Sequence, residues 1–373
     1  MTHFPPRAAP DTIFVKIAAY RDPECEATIA DLFANAAHPE RISVGVFWQA
    51  IPGLDDDLLP LRVRREQIRF ASVDARESYG ACWARHMAEQ LWSGETYLLQ
   101  IDSHMRFEPR WDERLIAQLK ACPSDKPVLS VYPPAYTPPR ELSPRMTMTM
   151  AAARFNADGV LTFISRPLGE PPAITAPISG MFCAAGFLFG SASILQDVPY
   201  DPYLYFYGEE ILNSVRLWTH GYDIFHPCDN VLYHYYRAPG DPTNPTHWAD
   251  NEDWATLHRS AVARAHHLLT GAPTDDEAAL LDLATYGLGT VRNLAAYEAA
   301  SGIDFQQLTI APKAKEGFVA PSPVQFTSMN AEWREWVAAS LGHMATAEIK
   351  RVLIETGFTL PVIAEVMGEH FPA

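Results

Sequence analysis

Apolar residues in the first third of the chain come in short dense runs, and each run is followed by a stretch with helical spacing. Residues 12–20 (TIFVKIAAY) and 42–48 (ISVGVFW) are β-branched or aromatic almost throughout, the pattern of strands buried on both faces. Between them Ile29, Leu32, Phe33 and Ala36 recur at three- and four-residue intervals and predict a helix. The cycle repeats with a helix over 78–94 closed by Gly94, a strand over 96–101, a helix over 111–122 and a strand from 127. Alternation from residue 12 to about 135 predicts an α/β fold with a mostly parallel central sheet. Ligands of such sheets sit beyond the carboxyl ends of the strands.

After residue 136 the pattern loosens. PPAYTPPRELSPRMTMTM (133–150) reads as an irregular excursion, and FCAAGFLFG (182–190) as a strand interrupted by small residues. EILNSVRLWTHG (210–221) predicts a helix closing at Gly221, followed by short strands in YDIFHP and NVLYHYYR, then mainly helix over 254–300. The chain divides into a proline-rich, loose terminus (1–11), a main domain (12–310), a linker (311–327) that includes PSPVQF, and a small helical module (328–373). In that module Trp333, Trp336, Val337 and Leu341 form one apolar stripe, which must be buried against the main domain, a second copy (a homodimer) or a partner.

Composition adds exclusions. Hydrophobic residues make up 48% and charged residues 20% of 373, an ordinary globular balance. A net charge of −16 argues against a broad nucleic-acid footprint, which needs a basic face. The five cysteines contain no C-x-x-C pair, so neither a zinc knuckle nor a disulfide framework is expected. No apolar run approaches the roughly 18 residues of a membrane span and no apolar leader opens the chain, so the expectation is a cytoplasmic protein without membrane contact.

The candidate chemistry begins at YLLQIDSHMRFEPRW (97–111), where the strand stops at Asp102 and a histidine follows at 104. In extended chain the two project to the same side. Carboxylate oxygen with imidazole nitrogen makes a half-site for Mn²⁺ or a similar divalent ion; otherwise Asp102 caps a turn and His104 is merely exposed. A second cluster is the acidic pair Glu209 and Glu210 after Gly208, at a helix start and among Tyr203, Tyr205, Phe206 and Tyr207. That placement suits either helix capping or a sugar site, in which aromatic faces pack on a ring and carboxylates accept from its hydroxyls. His226 is a rival metal ligand. His266 and His267, and Trp83, Trp92, Trp111 and Trp218, read as packing or solvated positions, and Asp55, Asp56 and Asp57 as a solvated loop.

Residues 183–237 resemble the second half of the catalytic domain of polypeptide N-acetylgalactosaminyltransferases: Gly208-Glu209-Glu210 stands at their GGEN-type motif, Arg216 and Trp218 at the R-x-W of the following helix, and His234 at the strand-borne metal histidine. Glu210 departs from the asparagine of those enzymes, which leaves the sugar open. A closer resemblance is to the cytoplasmic polypeptide N-acetylglucosaminyltransferases that modify hydroxyproline and their bacterial relatives, through IFVKIAAYRDPE, GACWAR, YLLQIDSHMRF, YGEEI, RLWTHGYD and YGLGTVRNLAAYEAASGIDF, in that order over about residues 12–306. The resemblance implies a GT-A type nucleotide-sugar fold and a UDP-sugar donor held through a divalent metal, Mn²⁺ or else Mg²⁺. It implies Asp102, His104 and His234 as metal ligands. Donor contacts would come from Tyr20, Arg21, Arg76, Arg85, Asp102, Ser103, Gly186 and Glu209. Glu209 and Glu210 would be catalytic, with transfer of N-acetylglucosamine to a protein or peptide hydroxyl, hydroxyproline foremost, and retention at the sugar. Trp48 and Gln49 occupy the end of the second strand, where an aspartate often meets the base.

Two alternatives belong to other classes. A non-haem iron oxygenase would use two histidines and a carboxylate, in the usual order H-x-D rather than D-x-H and on a jelly roll rather than an α/β sheet. A silent sugar- or peptide-binding module would keep the site without turnover. The tail faintly resembles helical segments attached to some bacterial oxygenases, which makes it a candidate for docking a partner.

Overall fold

The structure, a computed structural model, describes residues 11–58, 62–169, 174–237 and 245–318, and in the tail 334, 336–355, 363 and 367–370. The chain forms two compact units, Met1–Phe318 and Val319–Ala373.

The first unit is built on an eight-stranded sheet. Its strands are β1 (Ile13–Tyr20), β2 (Ile42–Ala50), β3 (Ile68–Asp74), β4 (Tyr97–Ile101), β6 (Pro127–Ser130), β9 (Ile178–Gly180), β10 (Phe187–Ser191) and β11 (Asp223–His226). Their order is β9-β11-β6-β10-β4-β1-β2-β3. β1 pairs in parallel with both β2 and β4, β2 with β3, and β6 with β11. β10 runs antiparallel between β4 and β6. Helices α1 (Cys25–Asn35), α2 (Ala81–Glu89), α3 (Trp111–Ala121), α4 (Glu209–Thr219) and α5 (Trp254–Thr270) accompany the sheet. Two further strands, β5 (Met105–Phe107) and β12 (Leu232–His234), form a separate antiparallel ribbon, and β7 (Thr147–Phe155) with β8 (Leu161–Gly169) forms a long hairpin.

The central strands form because both faces are covered. In β1, Ile13, Phe14, Val15 and Ile17 are all buried, and β2 contributes Val44, Val46, Phe47 and Trp48. Trp111 is fully buried at the start of α3 with its indole N–H donating to the Leu32 carbonyl at 2.9 Å, which locks α3 to α1. A charged pair is buried in this core: Lys16 on β1 donates to Glu89 on α2 at 2.7 Å and lies over the Tyr200 ring. Removing one member of such a pair costs roughly 3–5 kcal/mol, because the other charge is stranded.

The excursion expected over 133–150 ends earlier than the prolines suggest: Thr147 already begins the long hairpin, with Thr147 and Thr149 bonded to the carbonyls of Cys228 and Gly317. Gly317 belongs to the first unit, and Pro312–Lys315 is a helix packed on β7, so the segment read as a linker from 311 starts inside the main fold. PSPVQF and Trp333 lie outside the described residues. In the second unit Val337, Ile349, Leu353, Ile363 and Met367 form a core with Trp336, Leu341 and Met344 packed against it. The described part of the apolar stripe is thus covered within its own unit.

Candidate active site

The carboxyl ends of β1 and β4 carry the site. β4 ends at Ile101, and residues 102–104 bend before β5 begins at Met105. Thr28 on α1 pins that bend, donating to the Ser103 carbonyl and accepting from the Met105 N–H, both at 2.8 Å. Asp102 and His104 are therefore brought together by a bend and not by the alternation of an extended strand. The β5–β12 ribbon then sets His234 opposite Met105, which stacks the His104 and His234 rings edge to face at 4.7 Å. His234 Nε2 lies 3.2 Å from Asp102 Oδ2. Ligand atoms of Asp102, His104 and His234 all fall within 4.8 Å of one another, a group able to hold a metal ion.

The surroundings fit a cation. His234 Nδ1 is buried with no hydrogen-bond partner. Burial pulls the His234 imidazole below its ordinary pKa, so at neutral pH it is the neutral ligand form. Burial works against the Asp102 carboxylate, but the Arg85 guanidinium and the two imidazoles hold its pKa well below the usual range. Oxygen with two imidazole nitrogens is a donor set suited to Mn²⁺ and its neighbours. Gly186 closes one side: a Cβ there would sit 2.5 Å from Asp102 Oδ2. Gly186→Ala is accordingly expected to weaken Mn²⁺ binding about 10-fold or more, since it displaces a ligand carboxylate. Calorimetric titration with Mn²⁺ checks this, and unchanged affinity would show the space is not needed.

Next to the trio lies a cavity of about 340 Å³ lined by Arg85, Asp102, Tyr132, Gly186, Phe206, Tyr207, Glu209, Glu210, His234 and Tyr236, among others. Gly208 takes φ +94, a conformation side chains resist, and so lets α4 start with the acidic pair pointing at this cavity. Arg85 on α2 is buried and bridges two carboxylates, Asp102 at 2.6 Å and Glu209 at 2.5 Å. Tyr200 also donates to Glu209, and its own N–H donates to Glu89, partner of Lys16. A polar chain thus runs from the sheet core to the metal-capable trio. Glu210 is held differently, accepting from the Tyr132 hydroxyl and from the Ala185 N–H at 2.9 Å. Desolvation, with the Glu209 charge adding to it and the Tyr132 bond opposing, pushes Glu210 up to about 7.

Several expected donor contacts are placed elsewhere. Tyr20 and Arg21 both donate to Asp250, and Arg21 also pairs with Asp55. Asp55 is buried and is not part of a solvated loop. Arg76 is exposed and folds back on Asp74, and Ser103 is buried with its hydroxyl on Asp22. None of Tyr20, Arg21, Arg76 and Ser103 lines the cavity. His226 is fully buried in β11 with Nδ1 2.7 Å from the Ser130 carbonyl, and burial pushes its pKa to about 4. It stands outside the trio. Arg216 is buried, donating to the Pro199 carbonyl, and Trp218 packs under Arg292 and against Tyr297. The sequence pattern gives no role to Asp22, Tyr132 or Tyr200; Asp22 lies within IFVKIAAYRDPE just past the end of β1, and Tyr132 just past the end of β6.

Residues 12–59 and 56–307 match the family described as Glycosyltransferase (GlcNAc). The chain belongs to this family. Its fold is GT-A, and the mostly parallel sheet is not the jelly roll expected of an iron oxygenase. Among solved structures, GalNAc-T7 with UDP, GalNAc and Mn²⁺ superposes with a TM-score of 0.56 at 14% identity over 77% of this chain. The chain spans 56% of that protein's length. S. aureus TarS 1-349 in complex with UDP-GlcNAc is similar at a TM-score of 0.42 and 12% identity, covering 96% of this chain and 89% of that one. No curated protein matches. Among the described residues no helix is long and apolar enough to cross a membrane.

Proposed function

We propose that this glycosyltransferase moves N-acetylglucosamine from UDP to a hydroxyl of a protein or peptide, with hydroxyproline as the foremost acceptor, and with retention at the anomeric carbon. The observation that carries this reading is one cavity that joins a metal-capable trio to a buried arginine and two carboxylates of unlike environment. Asp102, His104 and His234 would hold a divalent ion, Mn²⁺ by donor type, which when bound neutralises charge on the diphosphate.

The residues of the chain divide the remaining work. Arg85 presents buried positive charge beside Asp102, where its fork suits phosphate oxygens. Glu209, fixed by Arg85 and Tyr200, faces the sugar hydroxyls. Glu210 lies farther along the cavity with Tyr132, where the acceptor enters. In the reaction the bond from the anomeric carbon to the diphosphate oxygen breaks as the acceptor oxygen bonds to that carbon. The acceptor proton passes to the departing phosphate oxygen on the same face, and no carboxylate need attack the sugar.

A thermal-shift panel of UDP-sugars with and without Mn²⁺ tests the reading. UDP-N-acetylglucosamine with Mn²⁺ is expected to stabilise the protein selectively, by linkage of binding to folding. Equal, absent or metal-independent shifts across the panel would overturn it. Steady release of UDP would in addition separate an enzyme from a silent binding module.

A further inference from the structure

The Asp22 carboxylate is buried beneath the trio and accepts four hydrogen bonds, divided between its two oxygens. Oδ1 accepts from the Glu24 N–H at 3.0 Å, a turn that leads into α1, and from the Arg237 guanidinium. Oδ2 accepts from the Ser103 hydroxyl and from His104 Nδ1, both at 2.6 Å. The first pair of contacts would satisfy a residue kept only to start a helix. The second pair is a separate commitment, made across 81 and 82 positions of sequence to Ser103 and His104.

We infer that Asp22 is a positioning residue: it holds His104 in the tautomer protonated at Nδ1, so that Nε2 keeps its lone pair for the metal. The proposal rests on the metal reading of Asp102, His104 and His234. A carboxylate ringed by four donors can only accept, so the ring nitrogen facing it must carry the proton. An imidazole ligand is commonly fixed in this way, and loss of the outer partner costs typically 10- to 100-fold in metal affinity.

The decisive variant is Asp22→Asn, because its amide has a forced orientation. Arg237 and the Glu24 N–H can only donate, so the amide oxygen must stay on their side. Its NH₂ then faces Ser103 and His104, both of which can switch to accepting. His104 Nδ1 becomes the acceptor and the proton moves to Nε2, the nitrogen needed by the metal. The helix-start and Arg237 hydrogen bonds survive while the buried Arg237 side chain loses a counter-charge, so a purely structural role predicts a lower melting temperature and no movement of the His104 ring proton.

The measurement is Mn²⁺ affinity by electron paramagnetic resonance of the free ion, with nitrogen-15 NMR of the His104 ring in the metal-free protein at mildly alkaline pH, assigned against a His104→Gln sample. Asp22→Asn is expected to bind Mn²⁺ about 10- to 100-fold more weakly, with the ring proton moved from Nδ1 to Nε2. Unchanged affinity or an unmoved proton overturns the proposal. Should the variant not fold, the wild-type spectrum decides: a proton on Nδ1 supports the proposal and one on Nε2 overturns it. Wild-type protein that binds no Mn²⁺ overturns the underlying metal reading, a different outcome from wild-type binding that Asp22→Asn leaves intact.

Discussion

His234→Ala and Asp102→Ala are each expected to abolish metal-dependent UDP binding while leaving the fold in place. His234 supplies one of three ligand atoms gathered within 4.8 Å, and its buried Nδ1 has no hydrogen-bond partner, so little of the fold depends on its polar contacts. Asp102 is the only carboxylate of the trio, and without it the cation would face imidazole nitrogens alone. Its loss also frees one side of the Arg85 guanidinium, which keeps Glu209 as a partner and so remains compensated. Titration with UDP in the presence and absence of Mn²⁺ distinguishes the cases. Were both variants to bind UDP with the wild-type manganese dependence, the metal would have to lie elsewhere.

Glu210→Gln carries the second large effect. If the ionised Glu210 carboxylate orients the acceptor hydroxyl by accepting its hydrogen bond, the proton still ending on the departing phosphate oxygen, the variant should lose about 10²-fold or more in turnover, with donor affinity nearly kept. Wild-type turnover should rise as pH passes about 7, where the carboxyl ionises, and this limb should vanish in the variant. Stability moves the opposite way. The folded-state value lies above the ordinary 4.5, so the protonated form is favoured by folding. That contribution is fully present below pH 4.5 and is lost as pH rises through 7. The full shift would correspond to about 3 kcal/mol, and the partial exposure of the side chain reduces it to roughly 1–2 kcal/mol. Denaturant melts of wild type and variant across this range check the sign: the stability difference must change in favour of the glutamine protein as pH increases. A pH-independent difference with unchanged turnover would remove Glu210 from the chemistry.

What could be read in advance follows from where each signal is stored. β1, β2 and β4 are buried on both faces, and their continuous apolar runs announce them. β3 (IRFASVD) is the last strand of the sheet, half-exposed for most of its length, so its pattern is too mixed to stand out. The β7 strand alternates threonine and methionine, but the prolines just before it hide that rhythm. Within the site, Asp102, His234, Glu209, Glu210, Arg85 and Gly186 carry residue types whose chemistry is visible in one dimension and line one cavity, and His104 joins Asp102 and His234 in the trio. Tyr20, Arg21 and Arg76 also have suitable chemistry, yet Asp250, Asp55 and Asp74 claim them. Competition between partners is decided only in three dimensions. Asp22 shows the converse, since an aspartate after a strand has no distinguishing mark until a loop 82 residues away lands on it.

The β5–β12 ribbon has a consequence for how the protein comes into being. It is a three-residue pairing between positions about 130 apart, and it delivers the last ligand to a trio whose other two members lie on one short bend. Closing so long a loop for so few contacts is entropically slow. A growing chain would carry Asp102 and His104 early yet remain unable to close the trio around a cation until residue 234 has emerged and paired. No fragment ending before β12 could then serve as a smaller working version, and tight Mn²⁺ binding would report that β12 has paired with β5.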